Sequence, residues 1–538
     1  MTNHHVRGDG RQLQDVRHST PDGTDAVVTS YGLADALAQH AAATPHRVAT
    51  MCRDASVSWQ RMHLRCQALA QELLHAGVGS GDRVLWLGQN CHRLLETLFA
   101  ASQIGAVVCP VNWRLSRAEL AFVLRDCAPR VILWQESEIG DTVRATRADG
   151  CGHEALWIQH DGADASSYEA RVSRASPPPE RVQPRTDEAP LLMLYTAAFD
   201  GRPNGALLSQ RSLLAQSMSL RLLESLDAAA VYLNSGPMFH IGSLRRTIAV
   251  AHAGGRNVMC RRVNALELCR LIDQERCTDA FLQAPTMIQM VEANADRRFD
   301  LSSLRSGTGP PGWSDMVTVI DADRKISSGY GQTEVAGVVT YRYPDTPSIG
   351  ARPGPLARVE VHDPDGSPVV PGDLGEIVVR GPMVMNGYHD RDELNAYRSR
   401  GGWHHTNDLG RLEVDGSITF VAPMQRMIKS AAENIYPIEV ESVLRGHPAI
   451  ADAAVIGVPD DVWGQRVKAV IVAAGQIDEE ELVAFCRTQL AGYKCPRMFE
   501  VVQSLPHTDV GVDRARIDTL YGGGGYPGVP TSAGERFR

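Results

Sequence analysis

An α/β fold with mostly parallel, layered sheets is predicted for the large N-terminal part of this chain, with a smaller domain following it. Two observations carry that expectation. Between Tyr31 and Trp134, helical patterns alternate with short apolar runs such as Arg83-Val84-Leu85-Trp86-Leu87 and Arg130-Val131-Ile132-Leu133-Trp134. Strands spaced in this way by helices pair in parallel and are covered on both faces. The length, 538 residues, also exceeds what one ordinary core supports, so at least two domains are expected.

Taken in order, residues 1–30 are polar and read as a flexible extension. They lack the apolar stretch of a secretory signal. Residues 31–422 read as the large domain. Within it Arg171 to Pro190, with Pro177, Pro178 and Pro179, marks an extended connection. The apolar run Leu191 to Tyr195 reads as a buried strand, followed by a turn-rich stretch with Gly201, Pro203 and Gly205 and a helical pattern from Ser212. Strand-rich sequence resumes with Arg358 to His362 and Gly375 to Arg380, separated by the turn Asp363-Pro364-Asp365-Gly366. Residues 423–520 read as a small domain in which Asp478 to Leu490 is an amphipathic helix. Residues 521–538, with four successive glycines, read as a flexible tail.

Composition excludes several classes of function. A formal net charge of −9, spread along the chain, argues against a nucleic-acid partner, whose affinity a basic face would supply. No apolar run approaches the roughly 20 residues that span a bilayer, so no membrane span and a cytoplasmic location are expected. The 11 cysteines are scattered without metal-ligand spacing and read as small buried apolar residues. Cys91 and His92 are adjacent, and successive residues point to different faces, so the two read as unrelated.

The segment Leu191 to Leu213 has the outline of a phosphate-gripping loop between a strand and a helix, yet lacks the gripping groups. Such loops use small residues, hydroxyls, free N–H groups and a Lys. Here Ala197, Ala198, Phe199 and Asp200 fill the loop and Asn204 stands where a cation is expected. The segment resembles the YTSGTTGxPKG loop of the adenylate-forming superfamily, which contains acyl-CoA and aryl-CoA synthetases, peptide-synthetase adenylation domains and luciferases. Further segments match in family order: PMFHIGSL from Pro237, SSGYGQTE from Ser327, GEIVVRGPMVMNGY from Gly375, GWHHTND from Gly402, ENIYPIEVE from Glu433 and AGYKCPR from Ala491. The resemblance runs from about Tyr31 to about Leu520. It implies a large domain that includes a small β-barrel-like part, and a mobile α+β C-terminal domain that swings between carboxylate activation by ATP and acyl transfer to a thiol.

The departures from the family pattern fall on groups that stabilise charge. Asn204 replaces the loop Lys, and Asp200 puts a carboxylate where Thr would face phosphate. At an effective dielectric near 20, two like charges about 4 Å apart repel by roughly 4 kcal/mol. In LPHTDVGVDRARID the family Lys after Gly511 is missing and Val512 follows directly. Loss of one aligned donor of this kind typically costs about 10²–10³ in rate. Pro423 takes the place of a ribose-contacting Arg, Arg426 that of the hinge acid, and Asn407 that of Gly in a T-G-D pattern. Ala431 and Ala432 replace paired glycines, which matters if those positions need φ > 0. Ser306 to Trp313 only echoes the Gly-Gly-Ala-Pro that lines the adenine site in the family.

Other family positions are kept. The resemblance places Thr333 on phosphate and Glu334 on Mg²⁺, a fitting ligand for a hard cation. It places Thr196, Gln332, Thr333 and Asp408 around any nucleotide that is retained. Tyr330, Gly331, Gln332, His240 and Gly242 fall at the substrate pocket. His240 also has the titration range of an acid–base catalyst, with a hydrogen-bonded core residue as the alternative. His404 and His405 are expected at the surface, Lys494 as a solvent-facing contact to the large domain, and Lys429 as a partial replacement for a lost cation.

Three functional readings are open. One is an enzyme on the ligase scaffold that binds an acyl or aryl carboxylate or its thioester, on coenzyme A or a carrier protein, without ATP-dependent adenylation. The second is a conventional acid–thiol ligase using ATP, Mg and coenzyme A despite its substitutions. The third is a noncatalytic protein partner.

Overall fold

Short runs rich in Val, Leu and Ile become neighbours in the computed structural model, which describes residues 31–52, 55–174, 187–196, 202–307, 309–320, 326–424, 426–431, 433–508 and 511–526. Arg83–Leu87, Val107–Val111, Val131–Trp134 and Leu156–Gln159 pair in parallel, and Pro190–Thr196 joins them parallel to Val107–Val111. Asn204–Ser209 and Gly387–Tyr388 complete this seven-stranded sheet as antiparallel members at one edge. A five-stranded sheet, mostly parallel, is built from Asp279–Ala280, Val231–Asn234, Arg256–Met259, Val48–Cys52 and Ala55–Ser58.

Helices cover these sheets and are stopped by local chemistry. The helix His92–Ile104 ends at Gly105 with φ 66°, a left-handed position that glycine adopts without strain. The helix Arg117–Cys127 begins with a capping box between Ser116 and Glu119. One apolar cluster binds Leu94, Leu98 and Phe99 to Trp59, Met62 and Leu69 of the helix Trp59–His75.

The expected barrel-like part takes a different form, a four-stranded antiparallel sheet of Arg358–His362, Leu374–Arg380, His404–Leu412 and Ile418–Pro423, not a closed barrel. The small C-terminal domain has a three-stranded sheet, Ile450–Asp460, Gly464–Ala473 and Met498–Val502, packed against helices Pro437–Arg445 and Glu479–Gln489. Asp478 caps the second of these, accepting from the N–H groups of Glu480 and Glu481. Of the segment assigned to a flexible tail, residues 521–526 are packed: Tyr526 is buried, donates to Asp518 and accepts from the Gly457 N–H. Residues 1–30 and 527–538 lie outside the described residues.

The strand–loop–helix reading of Leu191 to Leu213 needs correction. A second strand, Asn204–Ser209, returns antiparallel to Pro190–Thr196, and the helix Gln210–Glu224 starts only after it. The two strands therefore pair as a hairpin, and the helix N-terminus, capped by Ser209, follows a full strand after Thr196.

Candidate active site

The hairpin of Gly331–Gln332 with Gly337–Val338 sets out the central segment of the site. A Cβ at Gly331 would stand 2.0 Å from the Gly337 carbonyl oxygen, so this pairing admits only glycine there. A single 3₁₀ turn, Thr333–Val335, lies at the tip and closes on Ala336 with φ 56°. This turn carries Thr333 and Glu334.

Around the turn the polar groups are interlocked. Tyr330, stacked on Phe420, donates to Asp408 Oδ2 at 2.6 Å. Gln332 Nε2 lies 2.6 Å from the Tyr330 hydroxyl and 3.3 Å from Asp408 Oδ2. His404 lies 3.3 Å from the Gln332 amide oxygen. Burial pushes the Asp408 carboxyl up to about 6, helped by the nearby charge of Glu334 and opposed by the Tyr330 hydrogen bond. Burial, with Arg398 and His405 adding to it, lowers His404 to about 3, so its ring is neutral and its Nε2–H is the donor to Gln332. Glu334 is buried and accepts from Tyr388 at 2.8 Å. Burial raises the Tyr436 phenol, and the charges of Asp408 and Glu334 add to that.

His240 is the N-cap residue of the helix Ile241–His252, with extended backbone and no side-chain cap. Its Nε2 lies 3.3 Å from Glu433 Oε2, which belongs to the small domain's strand Glu433–Ile435. Glu433 also pairs with Arg114, whose guanidinium lies over the rings of Trp113, Phe239 and Tyr493. Burial raises the Glu433 carboxyl, but His240, Arg114 and Lys429 outweigh it and hold the group below its ordinary range. Lys429 donates to Asn434 at 2.7 Å. A Cβ at Gly242 would meet nothing within 4 Å, so this first turn of the helix faces open space.

The profile of the AMP-binding enzyme family matches residues 37–389, and that of its C-terminal domain residues 439–511. The chain belongs to the AMP-binding enzyme family. A feruloyl-CoA synthase from Amycolatopsis is 36% identical over 491 residues, covering 89% of this chain and 97% of that protein. An indoleacetate–CoA ligase from Aromatoleum aromaticum is 32% identical over 496 residues, covering 89% and 96%. Among solved structures, an amide bond synthetase from Marinactinospora thermotolerans superposes with TM-score 0.77 at 25% identity, covering 91% and 100% of the two chains. An o-succinylbenzoate CoA synthetase from Bacillus subtilis, bound to a product analogue, gives 0.76 at 25%, covering 90% and 97%.

Against this family frame the departures acquire places. Asn204 is fully buried and accepts at Oδ1 from Arg391 Nε at 3.1 Å, while Arg391 pairs with Asp126 at 2.8 Å. The residue in the Lys position is thus turned into the large domain. Thr196 donates to the Asn204 carbonyl at 3.3 Å, across the mouth of the hairpin. Val512 packs in an apolar cluster with Leu505 and Ile517 inside the small domain. Arg426 pairs with Asp518 and lies 4.2 Å over the Tyr526 ring, which fixes it within the small domain. Pro423 pairs with Asp408 at the end of its strand and brings no charge. Asn407 takes φ 63° and Ala431 φ 50°, so both positions sit in the left-handed region that the family glycines suit. Asp200 and Ala432 lie outside the described residues.

Family members act with a nucleotide and a hard cation, and the donor set here fits only part of that. Asp408 and Glu334 are carboxylates where the resemblance expects a ribose ligand and a metal ligand. At the two family lysine positions, among the described residues, the chain offers a buried amide and an apolar side chain.

Three further expectations are corrected. His404 and His405 are each only 5% exposed, held by Gln332 and Glu376 respectively. Lys494 is buried between Glu119 and Glu439, not solvent-facing. Cys91 and His92 are in contact, with Sγ 3.6 Å from Nδ1, where the backbone changes from extended at Cys91 to helical at His92. Tyr388, Glu433 and Tyr436 lie inside motifs legible in the sequence but were assigned no role, and Arg114 and Arg398 lay outside the motifs read. No helix of the described residues is long and apolar enough to cross a membrane.

Proposed function

We propose that this member of the AMP-binding enzyme family binds an acyl or aryl carboxylate, or its thioester, beside His240, and that its ATP-dependent adenylation is impaired or lost. The observation that carries this reading is the burial of Asn204 against Arg391 and Asp126, with Val512 in an apolar cluster. Both positions that supply ammonium groups in the family are spent on packing. A polyphosphate without fixed cations loses the aligned charges that make attack of a carboxylate on the α-phosphate, with release of pyrophosphate, fast.

The acyl side is better furnished. His240, Arg114 and Lys429 gather around Glu433 at the junction of the two domains. With Glu433 already holding these cations, the arrangement suits a neutral thioester carbonyl more than a triphosphate. The aromatic and acyl substrates named for the relatives make an aryl or acyl group the substrate class to try first.

A conventional ATP-dependent ligase is the second reading, favoured by retention of Glu334 and Asp408 and by the 36% identity to the feruloyl-CoA synthase. Pyrophosphate release assayed across aromatic, fatty and amino acids separates the two. Turnover that requires both the acid and ATP supports the second. No release, with calorimetric binding of an aryl or acyl thioester but not of Mg²⁺-ATP, supports the first. Binding of neither would leave the noncatalytic partner.

A further inference from the structure

Cys52 ends the strand Val48–Cys52 of the five-stranded sheet, and Cys91 is the N-cap of the helix that follows the strand Arg83–Leu87 of the seven-stranded sheet. The two meet where the sheets approach each other, with 3% and 1% of their surface exposed. Their sulfurs lie 4.0 Å apart, and Cys91 Sγ lies 3.6 Å from His92 Nδ1. One donor atom from each of Cys52, Cys91 and His92 falls within 4.8 Å of the other two.

The two edges at Cys91 are close to those of a coordination tetrahedron. With Zn–S near 2.3 Å and Zn–N near 2.0–2.1 Å, the sulfur–sulfur edge is about 3.8 Å and the sulfur–nitrogen edge about 3.6 Å. A disulfide instead needs sulfurs at about 2.05 Å, a far larger approach than the 4.0 Å pair would need to share a metal ion. We propose that Cys52, Cys91 and His92 form a binding site for a thiophilic d¹⁰ cation, zinc foremost, outside the acyl site.

The charge balance favours it. Binding of Zn²⁺ by the two thiols and the neutral imidazole releases two protons, and the resulting unit carries no net charge, which a buried position tolerates. Arg93 Nη1, 3.5 Å from Cys91 Sγ, directs a donor at that sulfur, and its charge is matched by Glu169 at 2.7 Å. A fourth corner remains for water or another side chain. His160 is a further buried imidazole, stacked on Trp86 at 4.3 Å, with neither ring nitrogen hydrogen-bonded.

The site also has a route to the acyl pocket. Asn90, the neighbour of Cys91, donates to the Gly236 carbonyl at 2.7 Å and accepts from the Met238 N–H at 3.0 Å. Those residues belong to the segment that runs into His240. A metal ion holding Cys91 would therefore fix the wall from which His240 projects.

The test is metal analysis of the full-length protein after loading with zinc alone and desalting, together with cobalt titration of the metal-free protein. Expected are about one ion per chain and, with cobalt, the near-ultraviolet thiolate charge-transfer band and visible bands of a tetrahedral site. Replacement of Cys91 endangers a helix cap, so Cys52→Ala and His92→Asn carry the comparison, with folding checked by circular dichroism. Each is expected to weaken binding by about 100-fold or more. The proposal is overturned if the wild-type protein retains no zinc at micromolar concentration. It is equally overturned if the two variants bind the same amount with the same cobalt spectrum, or if the native protein yields a Cys52–Cys91 disulfide and no metal.

Discussion

Lys494 of the small domain donates to Glu119 of the large domain at 2.7 Å and to Glu439 of its own domain at 2.6 Å, with all three side chains buried. Burial disfavours the ammonium, but the two carboxylates outweigh it and hold its pKa above the ordinary range. Burial raises the Glu439 carboxyl at the same time, and the Glu439 Oε2 atom has no partner. Removing one member of a buried pair leaves uncompensated charge and costs about 3–5 kcal/mol. Lys494→Met is therefore expected to lower the melting temperature and release the small domain, seen as a larger radius of gyration in small-angle scattering. An unchanged radius would show that other contacts hold the domains together.

Ala431 pays for its place in the backbone. Its φ of 50° is left-handed, and its N–H is fixed by the Trp463 carbonyl at 2.8 Å. An alanine in that region is strained by about 1–2 kcal/mol. Ala431→Gly is expected to raise stability in urea denaturation by about 1 kcal/mol once the greater freedom of the unfolded glycine is subtracted. A loss of stability would mean that the strain is absent.

These positions show what the sequence could and could not disclose. The strands Arg83–Leu87 and Val131–Trp134 and the helix Glu479–Gln489 were legible because periodicity and capping act locally. The family motifs nominated Tyr330, Glu334, Asp408 and His240 as candidates for the same reason, since each sits in a short recognisable word. Partners contributed across long separations were not legible. Arg391 beneath Asn204, Glu433 beside His240 and Cys52 beside Cys91 are brought together by sheet topology, which no local pattern encodes. Burial of His404 and His405 was missed because a polar word on an antiparallel strand does not say which neighbours cover it.

Asp408 gives a pH signature. Its folded-state carboxyl at about 6 keeps a proton that the unfolded chain loses near 4. Between those values the folded state binds more protons, so this group's contribution falls as pH rises, by about 3 kcal/mol in all. His404 at about 3, with His160 and His252 at about 4, act oppositely, losing stability as pH drops below about 6.5. The comparison must therefore be made between proteins: Asp408→Asn is expected to gain about 2–3 kcal/mol relative to wild type on going from pH 4 to pH 7 in urea denaturation. A difference independent of pH would remove Asp408 from the account.

Asn204 is a packing residue in this geometry, so restoring a lysine there does not restore a phosphate ligand. The new ammonium would sit beside Arg391, and two like charges about 4 Å apart at an effective dielectric near 20 repel by roughly 4 kcal/mol. Asn204→Lys is expected to lower the melting temperature without adding ATP-dependent activity. A stable variant that gains such activity would show that the side chain reaches the cleft instead.

The central claim, that the adenylating half of the family's chemistry is crippled, is tested most directly by ATP–pyrophosphate exchange with the wild-type protein and saturating aromatic or acyl acids. The account predicts exchange at least about 10²–10³ below that of a feruloyl-CoA synthase measured in parallel. Exchange at the same rate as that enzyme would contradict it.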